Sequence, residues 1–139
     1  MPLDPQTLGD LITEVRRYVK ERLIPLEARV AEEDHVPGEG VDEMRRLGFF
    51  GLTTPEEYGG LGLTMVEEVL VDFELGRCSP AFRSVFGTNN GIGSQAIVMA
   101  GTEEQKQRYL PRIASGESIG SFALTEPEAG SDAASLTTR

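Results

Sequence analysis

Apolar residues recur every three or four positions from Leu8 to Val30. The recurring positions are Leu8, Leu11, Ile12, Val15, Tyr18, Val19, Leu23, Leu26 and Val30. This spacing places them on one face of an amphipathic helix. Pro25 interrupts the run, so it either kinks one long helix or starts a second one. Because the apolar stripe continues in phase to Val30, we predict a single kinked helix.

Breaker residues divide the next part of the chain into short elements. The Pro-Gly-Glu-Gly run at 37–40 precedes a predicted short helix over 41–47, which Gly48 is placed to end. The Phe-Phe-Gly-Leu run at 49–52 forms a compact apolar plug. The glycine-rich residues 55–62 predict a tight reversal of the chain.

Two capping boxes mark the starts of later helices. Thr64 stands three residues before Glu67, and Thr102 stands three residues before Gln105. The first of these helices has a shared apolar face at Val66, Val69, Leu70 and Phe73. The inner face of the second is predicted at Tyr109, Leu110 and Ile113, with Gly116 ending it.

A further helical stretch lies between the two capped helices. Ser79 and Pro80 supply an N-cap and a first-turn proline. Residues 88–100 are predicted to be helical again, although Gly91 and Gly93 each weaken that helix by about 1 kcal/mol.

The pattern changes near the end, where residues 119–124 have the length of one apolar strand and a Gly/Ser/Thr-rich loop follows. A lone strand has no partner for its backbone groups, so we expect a domain boundary there. The predicted fold is an all-α, multi-helix up-and-down or orthogonal bundle over residues 1–118. Residues 119–139 would begin a second domain with its first strand and a truncated loop.

Composition narrows the function classes. The 139 residues suit one domain, and a hydrophobic content of 39% is enough for a core. A formal net charge of −10 disfavours nucleic acid and anionic membrane surfaces as partners. The N-terminus does not have the pattern of a signal peptide, and no segment has the length of a membrane span, so a soluble cytoplasmic protein is predicted.

The chain has one cysteine and one histidine, which argues against disulfides, cysteine-based metal sites and Ser–His–Asp catalysis. Cys78 allows neither an internal disulfide nor a cysteine-based metal site, and is predicted to be a small packing residue. His35 lies in a polar run and is predicted to be a solvated loop residue. A Ser–His–Asp mechanism therefore has little support, and no metal site is predicted.

The segment 122–132 is the best candidate for a ligand-binding site. It combines a strand end, shaping residues Pro127 and Gly130, and a loop rich in amides and hydroxyls. Such a loop can hold a heteroaromatic ring's carbonyls and a phosphate with neutral donors. From composition alone, an ordinary turn between strands explains it better.

The residues of this segment resemble a family signature. Residues 123–132, Ala-Leu-Thr-Glu-Pro-Glu-Ala-Gly-Ser-Asp, closely match the signature of the acyl-CoA dehydrogenase family. Further stretches resemble the same family in order and spacing, namely residues 47–52, 55–63, 101–106, 109–111 and 115–117. The resemblance covers nearly the whole chain.

The resemblance implies a fold and an activity. Members of the family have an N-terminal α-domain, a middle β-domain and a C-terminal four-helix domain, and usually form tetramers. They bind FAD, remove a proton from Cα of an acyl-CoA, and transfer hydride from Cβ to the flavin. Electrons then pass to an electron-transfer flavoprotein. The expected role is thus part of an oxidoreductase of fatty acid metabolism.

The resemblance also assigns site residues. Phe122, Leu124 and Thr125 match positions that contact the isoalloxazine ring, and Ser131 matches a serine that approaches a phosphate of FAD or CoA. Many relatives have tyrosine in place of Phe122, so a hydroxyl contact is lost there. Hydrogen bonds at these positions would stabilise the negative charge of the reduced flavin.

The substrate cavity is expected along residues 88–100. Thr88 and Ile92 are the candidate wall residues, and packing between helices through the glycines is an equally good account of this stretch. Glu126 and Glu128 are interpreted as solvated loop charges, not as an acid/base pair. No catalytic residue is assigned, because the family's catalytic carboxylate lies in the C-terminal domain.

Two other functions stay open. An acyl-CoA oxidase or flavin monooxygenase would share the fold and differ in oxygen access. A non-catalytic helical interaction module would lack flavin chemistry altogether. The leading hypothesis is the dehydrogenase, and the isolated chain is expected to have no dehydrogenase activity.

Overall fold

The computed structural model describes residues 2–138, in which seven α-helices are formed. They are α1 (Pro5–Tyr18), α2 (Ile24–Glu33), α3 (Gly38–Arg46), α4 (Met65–Leu75), α5 (Pro80–Asn90), α6 (Gln95–Ala100) and α7 (Glu103–Ala114). Short 3₁₀ turns lie at Phe49–Gly51, Glu56–Tyr58 and Ala133–Ser135. The helical fold predicted for the first domain is confirmed. None of the helices in this part of the chain is long and apolar enough to cross a bilayer.

The predicted continuity of the first helix through Pro25 is confirmed. A π-helical turn, Val19–Leu23, joins α1 directly to α2, and the Ile24 amide donates to the Val19 carbonyl. Proline has no amide hydrogen, and its ring crowds the carbonyl four residues earlier. A wider turn immediately before Pro25 accommodates both effects without ending the helix.

The apolar stripe of this long helix forms one wall of the core. Phe49 and Phe50, which belong to the predicted apolar plug at 49–52, pack against it together with Phe86 of α5. The ring centroids of Phe49 and Phe86 are 5.3 Å apart, and those of Tyr18 and Phe49 are 5.5 Å apart. Each large apolar side chain buried in this way contributes about 1.5–3 kcal/mol.

The predicted helix ends are present. Gly48 and Gly116 have positive φ angles of 78° and 73°, so each ends its helix in a conformation that side chains disfavour. Both predicted capping boxes are formed, at Thr64 and at Thr102. Ser79 caps α5 by accepting a hydrogen bond from the Ala81 amide.

The helix predicted over 88–100 is instead broken in two. α5 ends at Asn90, α6 begins at Gln95, and Gly91 adopts a non-helical backbone conformation of φ −107° and ψ −114°. Gly91 and Gly93 lower helix stability here. The buried side chains of Asn89 and Asn90 form hydrogen bonds that fix the chain in this non-helical conformation.

The predicted strand at 119–124 is not formed. These residues have no regular secondary structure, and the part of the chain that the structure describes contains no strand to pair with them. A single extended segment has no ladder in which to place its backbone hydrogen bonds.

The apolar faces of α4 and α7 differ in their exposure to solvent. The shared face of α4 points to solvent, with Val66 and Phe73 each 70% exposed. In α7, Leu110 and Ile113 are buried as predicted, but Tyr109 is 40% exposed and lies outside the inner face. The predicted inner face of α7 is therefore correct for Leu110 and Ile113 but wrong for Tyr109, and helical spacing did not show that the α4 face points to solvent.

Candidate functional site

Asn89 of α5 fixes the start of the C-terminal segment. Its side chain is fully buried, and its amide nitrogen donates to the carbonyls of Ile113 at 2.9 Å and Ser118 at 3.0 Å. Its side-chain oxygen accepts from the Gly120 amide at 2.8 Å. One side chain thus joins α5, the last turn of α7 and the segment that carries the predicted flavin contacts.

Two glycines allow this segment to cross the break between α5 and α6. A Cβ atom added to Gly93 would lie 3.0 Å from Gly120 Cα and 2.7 Å from the Thr88 carbonyl oxygen. Gly93 therefore serves close backbone packing, although against an extended segment and not against a helix. Beside this crossing, Thr88 is partly buried and Ile92 is 62% exposed, so the predicted substrate residues lie next to the predicted flavin segment.

The four predicted flavin-binding residues lie on an accessible surface. Phe122 is 53% exposed and Leu124 is 37% exposed, and both Thr125 and Ser131 are exposed. Within residues 2–138, the backbone amides of 121–125 donate no hydrogen bond. The segment thus offers apolar side chains, free amide donors and hydroxyls together.

The loop after Thr125 returns so that Gly130, the neighbour of Ser131, lies beside Thr125. A Cβ atom at Gly130 would lie 3.4 Å from the Thr125 methyl carbon and 3.9 Å from its hydroxyl oxygen. The backbone just before Ser131 therefore lies close to the Thr125 side chain. Neutral donors grouped in this way, beside apolar surface, fit the carbonyls and nitrogens of an isoalloxazine ring.

Glu126 is not the solvated loop charge that the sequence suggested. Its Oε2 accepts from the amide and hydroxyl of Thr137, each at 3.0 Å. Its Oε1 accepts from the amide of Thr138 at 2.7 Å and also from the Thr138 hydroxyl. These bonds, with that from the Thr138 hydroxyl foremost, lower the pKa of Glu126 to about 2. Glu128 is exposed, as predicted.

Buried polar residues at the break between α5 and α6 were missed from the sequence. Asn90 donates from its side chain to the Phe49 carbonyl at 2.7 Å, and its own carbonyl accepts from the Thr53 hydroxyl at 2.5 Å. The only sequence signal was the Asn-Asn pair itself, which is unfavourable inside a helix. Together with Asn89, Asn90 holds the backbone between Thr88 and Ile92, the predicted substrate residues.

A separate cavity of about 300 Å³ lies on the long helix. It is lined by apolar and charged side chains, namely Leu11, Glu14, Val15, Arg17, Tyr18, Glu21, Arg22, Glu43, Leu47 and Phe49. None of the predicted flavin or substrate residues lines it. Burial, with Glu43 nearby, raises the pKa of the Tyr18 hydroxyl well above its usual range.

Cys78 and His35 lie as the sequence predicted, one buried and the other exposed. Cys78 is buried in the core, and burial raises the pKa of its thiol to about 11, which disfavours the nucleophilic thiolate form. The His35 side chain is 65% exposed. Among residues 2–138, no group of three or more His, Cys, Asp or Glu side chains could hold a metal ion.

Most of the chain resembles known proteins in sequence. Residues 6–117 match the family described as acyl-CoA dehydrogenase, N-terminal domain. The chain belongs to the acyl-CoA dehydrogenase family. An acyl-CoA dehydrogenase of Bacillus subtilis is 37% identical over 124 residues, which are 89% of this chain and 33% of the relative.

Solved structures of the acyl-CoA dehydrogenase family also resemble the chain. A glutaryl-coenzyme A dehydrogenase in complex with glutaryl-CoA matches with a TM-score of 0.80 and 35% identity, over 99% of this chain and 35% of that one. An acyl-CoA dehydrogenase from Bacillus anthracis, complexed with FAD, matches with a TM-score of 0.79 and 33% identity, over 96% and 23%. The chain thus spans about a third or less of the length of these relatives.

Proposed function

We propose that these residues are part of a flavin-dependent acyl-CoA dehydrogenase that introduces a double bond between Cα and Cβ of an acyl-CoA thioester. One observation carries the proposal. In a chain that matches the family over residues 6–117, Asn89 holds an exposed segment of free amides, hydroxyls and apolar side chains against the helices. Residues 1–118 form the helical domain, and residues 119–139 begin the middle β-domain, where 119–124 would find strand partners.

FAD is the proposed cofactor. Phe122 and Leu124 would contact the isoalloxazine ring through side chain and backbone, the Thr125 hydroxyl would bond to its pyrimidine side, and Ser131 would bond to a phosphate of FAD or CoA. FAD supplies a hydride acceptor for the Cβ–H bond of the substrate. The donors on this segment favour reduction because they stabilise negative charge on the ring.

Thr88 and Ile92 are the proposed acyl-chain contacts. Their position next to the Gly93–Gly120 crossing supports this role, because an acyl chain there would lie beside the flavin segment. We assign no catalytic base in these residues, and the isolated chain is expected to be inactive. An electron-transfer flavoprotein as acceptor, a tetrameric assembly, and a cytoplasmic role in fatty acid metabolism complete the proposal.

The proposal is tested on the natural polypeptide that contains these residues. Its intact mass in source cells should lie well above 15.1 kDa, and it should carry flavin. Anaerobic addition of an acyl-CoA should remove the oxidised-flavin absorption, and oxygen should restore it slowly. Rapid restoration would indicate an oxidase instead. A flavin-free polypeptide of 139 residues would contradict the enzyme and support a helical interaction module, and turnover by the 139-residue chain would contradict its expected inactivity.

A further inference from the structure

The loop that follows the flavin segment is closed by one carboxylate. Glu126 stands at the start of residues 126–138, and its two oxygens accept four hydrogen bonds from Thr137 and Thr138 at the other end. Each threonine gives both its amide and its hydroxyl to a single oxygen. Bonds to an ionised carboxylate are about twice as strong as those between neutral groups, so this closure is the main polar link across the loop.

The inner part of the loop is built on the same residue. The Glu126 amide donates to the Ala129 carbonyl at 2.8 Å, and the Ala129 amide donates back to the Glu126 carbonyl at 3.3 Å. Ala129 is 7% exposed, although its neighbours lie largely at the surface. The turn sets the position of Gly130, which lies beside Thr125. Backbone and side chain of Glu126 thus act on the same short stretch.

We propose that Glu126 is a positioning residue, whose carboxylate holds the 126–138 loop closed and so fixes Thr125 and Ser131 in the arrangement that FAD binds. The inference rests on the proposed function of the flavin segment. Without the carboxylate, the loop would have to be ordered when the cofactor binds, and affinity would fall by that cost. Glu126 itself need not touch the flavin.

The natural full-length polypeptide is compared with its Glu126→Gln and Glu128→Gln variants. Glutamine replaces one carboxylate oxygen by an NH₂ group, which cannot accept and would face the amide donor of one threonine, while the hydroxyl of that threonine would have to rotate to accept. We expect the FAD dissociation constant of Glu126→Gln to rise at least about tenfold, with a changed absorption spectrum of the bound flavin. Glu128→Gln removes the same charge from an exposed neighbour and should keep wild-type affinity and spectrum.

The outcomes separate the two proposals. If the wild-type polypeptide does not bind FAD, the proposed function fails. If it binds FAD and Glu126→Gln matches it in affinity and spectrum, or if both glutamine variants lose affinity equally, the positioning role is overturned. Should Glu126→Gln not fold, Thr137→Val and Thr138→Val each remove one hydroxyl donor and leave the amide. Each should then weaken FAD about threefold, and unchanged affinity in both would overturn the role as well.

Discussion

Helices α1 and α4 are both amphipathic in sequence, but they use their apolar faces in opposite ways. The stripe of α1 lies in the core, where Val15 is 3% exposed and Val19 is 1% exposed once the helix continues past Tyr18. The stripe of α4 faces solvent, with Val66 and Phe73 each 70% exposed. An identical periodic signal thus accompanies a buried face in one helix and an exposed face in the other.

Polar anchors fix the orientation of α4. Glu74 is 5% exposed and accepts two hydrogen bonds from the Arg16 guanidinium of α1, at 2.8 and 3.0 Å. Glu67 is 4% exposed and accepts from the Leu3 amide at 2.6 Å. With Val71 and Leu75 buried beside them, these glutamates turn the other face of α4 outward. A periodic apolar pattern shows that one face of a helix differs from the rest. Polar contacts with distant parts of the chain decide whether that face points to the core or to solvent.

The largest expected difference between the two helices is in the cost of truncation. Leu23→Ala removes a fully buried side chain in the turn between α1 and α2, and should lower the free energy of unfolding by about 2–5 kcal/mol. Phe73→Ala removes a larger side chain from α4, yet should cost less than about 0.5 kcal/mol in the 139-residue chain. Urea unfolding of both variants measures this. Equal losses would mean that the α4 stripe is packed in solution.

The anchor between the helices should make stability sensitive to acid. Hydrogen bonds from Arg16, with Arg77 adding to them, lower the pKa of Glu74 to about 2 from an ordinary value of 4.5. The unfolded chain therefore binds a proton before the folded chain does, and the stabilisation is complete above about pH 4.5 and is lost as the pH falls towards 2. Urea unfolding at a series of pH values should show this decline.

Glu74→Gln provides the matched variant for the acid experiment. It cannot titrate, so its stability should be lower than wild type near neutrality and should fall less steeply below about pH 4.5. Glu32→Gln, at an exposed position of α2, is the control and should follow the wild-type profile. If Glu74→Gln kept the wild-type acid dependence, the Arg16–Glu74 contact would not be the anchor described here.

Local signals were sufficient for most of the helical domain. Capping boxes, glycine stops and the stripe from Leu8 to Val30 depend on neighbours within four residues, and each was predicted correctly. The break after Asn90 was missed because its cause is distant. The Asn89 and Asn90 side chains bond to backbone groups more than 20 residues away, and helical periodicity does not carry such information.

The candidate site followed from resemblance, since residue pattern alone favoured an ordinary turn at 122–132. The roles of Thr125 and Ser131 stay predictions, but the structure supplies a feature that neither argument gave. The partners of Glu126 lie 11 and 12 residues further along the chain. A glutamate in a loop has no sequence signature that distinguishes a solvated charge from a loop-closing acceptor.

The smallest effect concerns the capping boxes of α4 and α7, which are alike in sequence but not in surroundings. At α4, Glu67 serves the box and also accepts from the Leu3 amide next to α1. At α7, the hydrogen bonds between Thr102 and Gln105 are exposed.

Loss of an N-cap hydroxyl costs about 1 kcal/mol, and removal of a buried partner costs more than removal of an exposed one. Thr64→Ala should therefore lower the free energy of unfolding more than Thr102→Ala, in parallel urea titrations. Equal losses would show that the α4 box acts only locally, and that its hydroxyl does not support the contact between Glu67 and the Leu3 amide.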